Sequence, residues 1–394
     1  MPAPQPPWRA LLAAIGTIAV VGLASGLTLP LVSVRLVEAG ASAATIALIA
    51  ALPAVGTVCT SFVLPALTRR LGARALLAAA ILLSCGSLLI VATPYAAWSW
   101  MLSRLMLGVA AGVLFALGEA RILEVSGSAS RGRWTGFYAS TLTTCQFAGP
   151  ALLALLGTGS GSALLVGVAL HGLSLVLLFG SDWPDAPPAR GEPLRFGLFM
   201  RSCLPLAAAV LFFAMFDNTM LALLPVYGLH LGLPSRTALL MVAVVFLGDA
   251  CLQVPLGAAA DHGGRRRTHA LCALLATGAG VALPLGAART AVMWPSLFLL
   301  GGSAGALYTL AIVRLGDRFR GAALITANAY VGLLWGVGSL SGPLLGGGAM
   351  ALSPPHGLLL VVAAGAAATL FAILRDREAA PTDAPPLREA APGQ

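Results

Sequence analysis

Residues 207–228 read AAAVLFFAMFDNTMLALLPVYG, a run that is almost entirely hydrocarbon apart from a polar pair, Asp217 and Asn218, near its middle. An α-helix needs about 20 mostly apolar residues to cross a bilayer core, so this length predicts a membrane span. Composition agrees: 58% of the 394 residues are hydrophobic, 9% are charged, and mean hydropathy is +0.92. So few charges cannot cover a surface against water, and lipid is the solvent expected for most of the chain. Insertion scales put a central Asp at about +2.5 to +3.5 kcal/mol. A carboxylate at that cost is expected to work for its place.

Working outward, comparable segments fall near 10–34, 42–64, 75–93, 98–122, 134–156 and 162–180, then near 204–228, 236–259, 268–287, 291–313, 322–348 and 356–374. They predict an all-α integral membrane protein of twelve spans. The expected organisation is a six-helix bundle over 1–180, a Pro- and charge-rich cytoplasmic linker over 181–202, a second bundle over 203–377, and a disordered cytoplasmic tail over 378–394. The apolar run after the N-terminal MPAPQPPWR exceeds the core of a signal peptide and is expected to remain as the first span.

The net charge of +9 comes entirely from arginine. No aromatic-interleaved basic stripe is present, so nucleic acid is not an expected partner. With the N-terminus inside, Arg69, Arg70, Arg74, Arg131, Arg133, Arg190, Arg195, Arg201, Arg265, Arg266, Arg267, Arg318 and Arg320 fall on the cytoplasmic side. Arg35, Arg236 and Arg289 fall outside. The positive-inside rule therefore predicts both termini in the cytoplasm. The six cysteines are scattered through apolar runs and read as small buried hydrophobes. His269 and Cys272 have metal-like spacing, but two ligands do not hold zinc, and neither metal nor cofactor is expected.

The two halves repeat. Gly40, Gly56, Gly72 and Arg74 recur as Gly232, Gly248, Gly264 and Arg266, each 192 residues later. Gly108, Gly112, Gly149 and Pro150 recur as Gly301, Gly305, Gly342 and Pro343, each 193 residues later. Two homologous bundles facing each other are the architecture of a transporter with a midplane site.

GAAADHGGRRR at 257–267 resembles the loop signature G-x-x-x-D-[RK]-x-G-R-[RK] of the major facilitator superfamily, with His262 at a usually basic position. Its first-half counterpart, PALTRRLGAR at 65–74, keeps Gly72 and Arg74 but has Pro65 and Arg69 where Gly and Asp are expected. The resemblance implies a cytoplasmic gate at Gly257, Asp261, Gly264, Arg265, Gly72 and Arg74, with Gly257 allowing close helix approach. GSLSGPLLGG at 338–347 resembles the family's G-x-x-x-G-P-x-x-G-G motif, which is associated with antiporters when it lies in span five. Here the full form lies in span eleven, and span five carries CQFAGPALLA at 145–154. Proline cannot donate the helical hydrogen bond, so Gly149, Pro150, Gly338, Gly342, Pro343, Gly346 and Gly347 are expected to bend helices and let them pack closely. GGSAG at 301–305 matches a hydrolase pattern but lies inside an apolar helix, where small-residue packing explains it better. No nucleophile–base constellation is present and an enzyme is not expected. GEARILEVSGSASRGRWTGFY at 118–138 and RFRGAALITANAYVGLLWGVGSLSGPLLGG at 318–347 look like the YcaD-like branch of bacterial facilitators, and that likeness implies acids at the positions of Glu119 and Asp217.

Ionisable groups within the spans supply the candidate site. Arg104, in RLMLGVAAG, resembles the family's R-x-x-x-G motif of span four, which implies a part in substrate or proton coupling. Glu119 follows about 22 Å further along the same helix and within about 60° of its face, so both could line one cavity at different depths. Asp217 lies about 20 Å into span seven, and Asp249 reaches a similar depth in span eight. Asn218 and Gln253 are the expected hydrogen-bonding neighbours of these acids. A carboxyl group away from water can load and release a proton or bind a cationic group. Tyr308, Asn328, Tyr330 and Trp335 are further cavity candidates, and His171 is read as structural.

The expected function is alternating-access secondary transport of a small molecule across the bacterial inner membrane by a monomer in the lipid bilayer, coupled to protons and directed outward. The alternatives are an uncoupled facilitator of the same fold and a non-transporting membrane scaffold or receptor.

Overall fold

Spans that are apolar all round must satisfy their backbone groups internally, and helices do this. The computed structural model describes residues 8–375 apart from 94–95, 126–130, 160, 182–195, 287–288 and 320. The first half comprises α1 (Trp8–Glu38), α2 (Ala43–Leu71), α3 (Ala73–Ala92), α4 (Ala97–Val125), α5 (Arg131–Leu156) and α6 (Ser162–Phe179). A short α7 (Phe196–Ser202) precedes α8 (Leu204–His230), α9 (Ser235–Gly263), α10 (Arg265–Gly286), α11 (Thr290–Arg318), α12 (Gly321–Leu352) and α13 (Gly357–Arg375). All but α7 are long and apolar enough to cross a membrane, which gives twelve candidate spans among the described residues. The expected spans are all present, and the tail over 378–394 lies outside the described residues.

The expected linker is not wholly irregular. Its end is α7, where Phe199 is 1% exposed and its ring lies 5.3 Å from that of Tyr330 and 6.3 Å from that of Phe319. Burying these rings fixes the linker's end on the second half.

The two most enclosed spans are α1 and α8, with 83% and 78% of their apolar windows buried. Helix α1 packs on α4, α5 and α6, and α8 on α9, α11, α12 and α13. The halves meet where α1 touches α8, α2 crosses α12, and α5 crosses α9.

The repeat seen in the sequence performs the same tasks twice. Gly72 (φ 77°) and Gly264 (φ 93°) are left-handed breakpoints between consecutive helices, a conformation that disfavours any side chain. Arg74 donates to the Ser181 carbonyl (2.7 Å) just beyond α6, while Arg266 donates to the Leu374 carbonyl (3.0 Å) at the end of α13. Each arginine thus ties the start of one helix to the end of another within its own half. Gly108 and Gly301 lie against the backbone at Pro53 and Val245 of the partner helices. Gly149 meets the α1 backbone at Gly26 and Leu27, and Gly342 meets the α8 backbone at Met215. Pro150 and Pro343 lie inside helices that continue through them.

At the end away from the termini, Arg35 donates to the carbonyls of Val91 (2.7 Å) and Thr158 (2.8 Å) and so clasps the ends of α1, α3 and α5. Arg35→Ala is expected to remove both charged-donor bonds, worth about 1.5–3 kcal/mol each before solvent replaces them. A lowered melting temperature of the purified protein checks this; an unchanged one refutes the clasp.

Candidate functional site

The two acids of the second half are met by polar side chains of the first. Asp217 on α8 is 4% exposed, and its carboxylate oxygens accept from Gln146 Nε2 on α5 at 3.1 and 3.2 Å. Asp249 on α9 is 1% exposed and accepts from Gln253 Nε2 at 2.8 Å, one helical turn along its own helix. Its other oxygen accepts from Thr143 Oγ1 on α5 at 3.5 Å, the long limit of a hydrogen bond. Asp217 and Asp249 are close enough to interact electrostatically. One face of α5 therefore offers Thr143 and Gln146, three residues apart, to two carboxylates on two helices of the opposite half.

Small residues make this possible. A Cβ on Gly305 would overlap the Asp249 carboxylate, so α11 can lie beside that acid only with glycine there. Thr57 stands 192 residues before Asp249 and donates to the Gly108 carbonyl at 3.0 Å, a hydroxyl bond between α2 and α4. The second half has an acid where its twin has a helix-packing hydroxyl, so the two halves differ at this position.

Of the expected neighbours, Gln253 does bond to an acid. Asn218 does not reach Asp217; the amide that does is Gln146, because successive helical residues point about 100° apart. Gln146 and Thr143 were not among the expected site residues, although a glutamine and threonines in an apolar span were the signal available.

Arg104 and Glu119 are sorted into different environments. Arg104 is 0% exposed, and among the described residues none of its guanidinium nitrogens has a hydrogen-bond partner. Its expected place on a cavity wall is not what the structure shows, since the group is enclosed within the first half. Glu119 is exposed, and it lies within electrostatic reach of Tyr138 on α5 and Tyr308 on α11. Next to it, a Cβ on Gly118 would sit 3.0 Å from the Tyr138 hydroxyl, which shows how closely α4 approaches α5 there.

The aromatic candidates separate as well. Tyr308 and Trp335 meet edge to face at 5.3 Å, and Phe213 of α8 stacks on Tyr308 at 5.1 Å. Phe115 of α4 faces Trp335 from the other half at 6.4 Å. Tyr330 instead packs on Phe196 and Phe199, holding α7 rather than a cavity wall. The side chain of Asn328 lies outside the described residues, as does that of Asp261.

At the expected gate, Gly257 has open space where a Cβ would go, so it does not serve close helix approach as anticipated. In the GSLSGPLLGG stretch, Gly338 and Gly342 admit the α8 backbone and Gly346 the Thr219 and Leu358 side chains, while Gly347 faces Ala43 and Ala47 of α2 in the other half. His171 bonds the Gly167 carbonyl at 2.7 Å and Ser84 at 2.9 Å, a structural pairing within the first half.

The Major Facilitator Superfamily model matches residues 14–241 and 206–393. The chain is similar to the uncharacterized MFS-type transporter YfkF of Bacillus subtilis, at 25% identity over 84% of this chain and 86% of that one. It is also similar to the MFS-type transporter YcaD of Shigella flexneri serotype 5b, at 23% identity over 71% of this chain and 72% of that one. Among solved structures, a D-xylose-proton symporter superposes with a TM-score of 0.73 at 17% identity, covering 93% of this chain and 97% of that one. The nucleoside transporter NupG, crystallised as its D323A mutant, gives 0.71 at 14% identity, covering 92% and 99%.

Proposed function

The chain belongs to the major facilitator superfamily, and from that premise we propose that this multi-pass membrane protein is a proton-coupled secondary transporter of the bacterial inner membrane. It moves a small molecule by rocking one six-helix half against the other, as a monomer, with both termini in the cytoplasm and export as the direction. One observation carries the coupling: the buried Asp217 of the second half is bonded to Gln146 of the first, with Asp249 and Thr143 beside them. These groups sit in the seam that alternating access must open.

Opening that seam separates α5 from α8 and α9, so each carboxylate loses a donor from the opposite half. Two acids close together away from water repel when both are charged, and an unpaired buried charge is costly. A proton taken up by the pair relieves both penalties, and rebinding the first half's amide and hydroxyl favours its release. Proton occupancy and the arrangement of the halves are thereby linked. The likeness to a xylose–proton symporter supports the fold for such a cycle and, at 17% identity, carries no substrate across.

The test begins with a thermal-stability screen of the purified protein against metabolites and drugs. Each stabilising compound then goes to proteoliposomes loaded with a pH-sensitive dye. The expected result is a compound-driven pH change that requires the protein. Transport unaltered by a collapsed proton gradient would establish the uncoupled facilitator instead, and ligand binding without flux would favour the receptor.

A further inference from the structure

We propose that the aromatic chamber one turn from Asp217, with Glu119 on its wall, binds an organic cation that presents a flat apolar face. This deepens the transport reading above and rests on it for the chamber's place on the transport path.

The ring cluster that would line it is assembled from both halves. Phe213, Tyr308 and Trp335 of the second half lie within 5.7 Å of one another by ring centroids, and Phe115 of the first half closes on Trp335 at 6.4 Å. Phe115 and Glu119 are four residues apart on α4, so they share a face about 6 Å along the axis. Phe213 and Asp217 stand in the same relation on α8. Tyr138 and Tyr308, from opposite halves, are both within electrostatic reach of Glu119.

Accessibility separates this cluster from an ordinary core. Phe213 is buried at 6% exposed, but Phe115, Tyr308 and Trp335 are only partly buried and Glu119 is exposed. Rings that merely filled a core would be closed to solvent and would not stand beside a free carboxylate. The sign of the charge is set by which groups can be reached. Arg104 is 0% exposed and lies about 22 Å from Glu119 along α4, and Arg121 is 7% exposed. A ligand meeting these rings therefore meets a negative group and the negative faces of π-systems, the pairing that recognises organic cations. Of the amides nearest the acids, Gln146 and Gln253 are already committed to carboxylates and only Asn218 is left, which gives a neutral polyol few amide donors among the described residues.

Binding of radiolabelled tetraphenylphosphonium to the purified full-length protein tests this, with tetraphenylborate as a probe of matching size and shape and opposite charge. The cation is expected to bind at least tenfold more tightly than the anion. Glu119→Gln and Trp335→Ala are each expected to weaken cation binding tenfold or more, with Trp335→Phe retaining most of it, and uridine and D-xylose are not expected to displace it. Equal binding of the two ions, no binding of the cation, displacement by uridine or xylose, or an unaffected Glu119→Gln variant would each overturn the proposal. The two-ion comparison uses the unmodified protein and holds even where a variant fails to fold. Cation binding of this pattern without flux in proteoliposomes would sink the transport reading and leave the chamber standing. Proton-linked flux of a neutral solute with no cation binding would do the reverse.

Discussion

Asp217→Asn is expected to lower proton-driven transport by about 10²-fold or more, the scale on which removing a proton-transferring group acts, while the protein still inserts and folds. Asparagine keeps the shape of the side chain and can still bond Gln146, so the seam between α5 and α8 is preserved. What it cannot do is exchange a proton. The variant also lacks the repulsion between Asp217 and Asp249, so its thermal stability is expected to equal or exceed that of the parent. Gln146→Leu is the complementary change. It leaves the carboxylate in place but strips its partner from the other half, and a buried charge without its donor costs more than the lost bond itself. That variant is expected to lose stability as well as coupling. Dye-loaded proteoliposomes and a melting curve for each protein separate the two effects. Normal uphill transport by Asp217→Asn would sink the coupling proposal.

Gly149→Val is expected to prevent recovery of folded protein, and Gly257→Val to leave it intact. A Cβ on Gly149 would collide with the backbone of Gly26 and Leu27 on α1. Backbone cannot swing aside as a long side chain can, so α5 and α1 would have to separate over several turns. Overpacking in a core costs about 1–3 kcal/mol when side chains can adjust, and here they cannot; total stabilities of only about 5–15 kcal/mol leave little margin. Gly257, despite its place in the loop signature, has nothing within 4 Å of its Cβ position. Size-exclusion profiles and melting temperatures of the two variants decide the matter. A monodisperse Gly149→Val protein melting near the parent temperature would refute the close approach. A collapsed Gly257→Val protein would show that open space at that position is not what matters there.

Much of the architecture was legible along the chain. Apolar runs of spanning length need no partner to be recognised, because the bilayer sets their length and the helix satisfies its own backbone. The constant offset between the halves was equally visible, and the paired left-handed glycines and the paired arginines Arg74 and Arg266 carry out matching tasks in both halves. Costly residues such as Asp217, Asp249, Glu119 and Arg104 also announced themselves, since a charged group inside an apolar span is an anomaly in one dimension.

Their roles were not legible, because a role depends on which helix faces which. Arg104 and Glu119 share nearly one face of α4, yet one is enclosed and the other accessible, since α4 is covered along part of its length and faces the seam elsewhere. Tyr308, Tyr330 and Trp335 look alike as aromatic residues near the second half's motifs; folding groups two of them and gives the third to α7. The partners of the acids are 71 residues away for Asp217 and 106 for Asp249, and no spacing rule spans such distances. Hydropathy and helical period act between neighbours along the chain and so determined the spans and the acids within them, and a constant offset of 192–193 residues determined the repeat. Only the meeting of α5 with α8 and α9, a packing of side chains distant in sequence, decided that those acids lie in the seam between two halves.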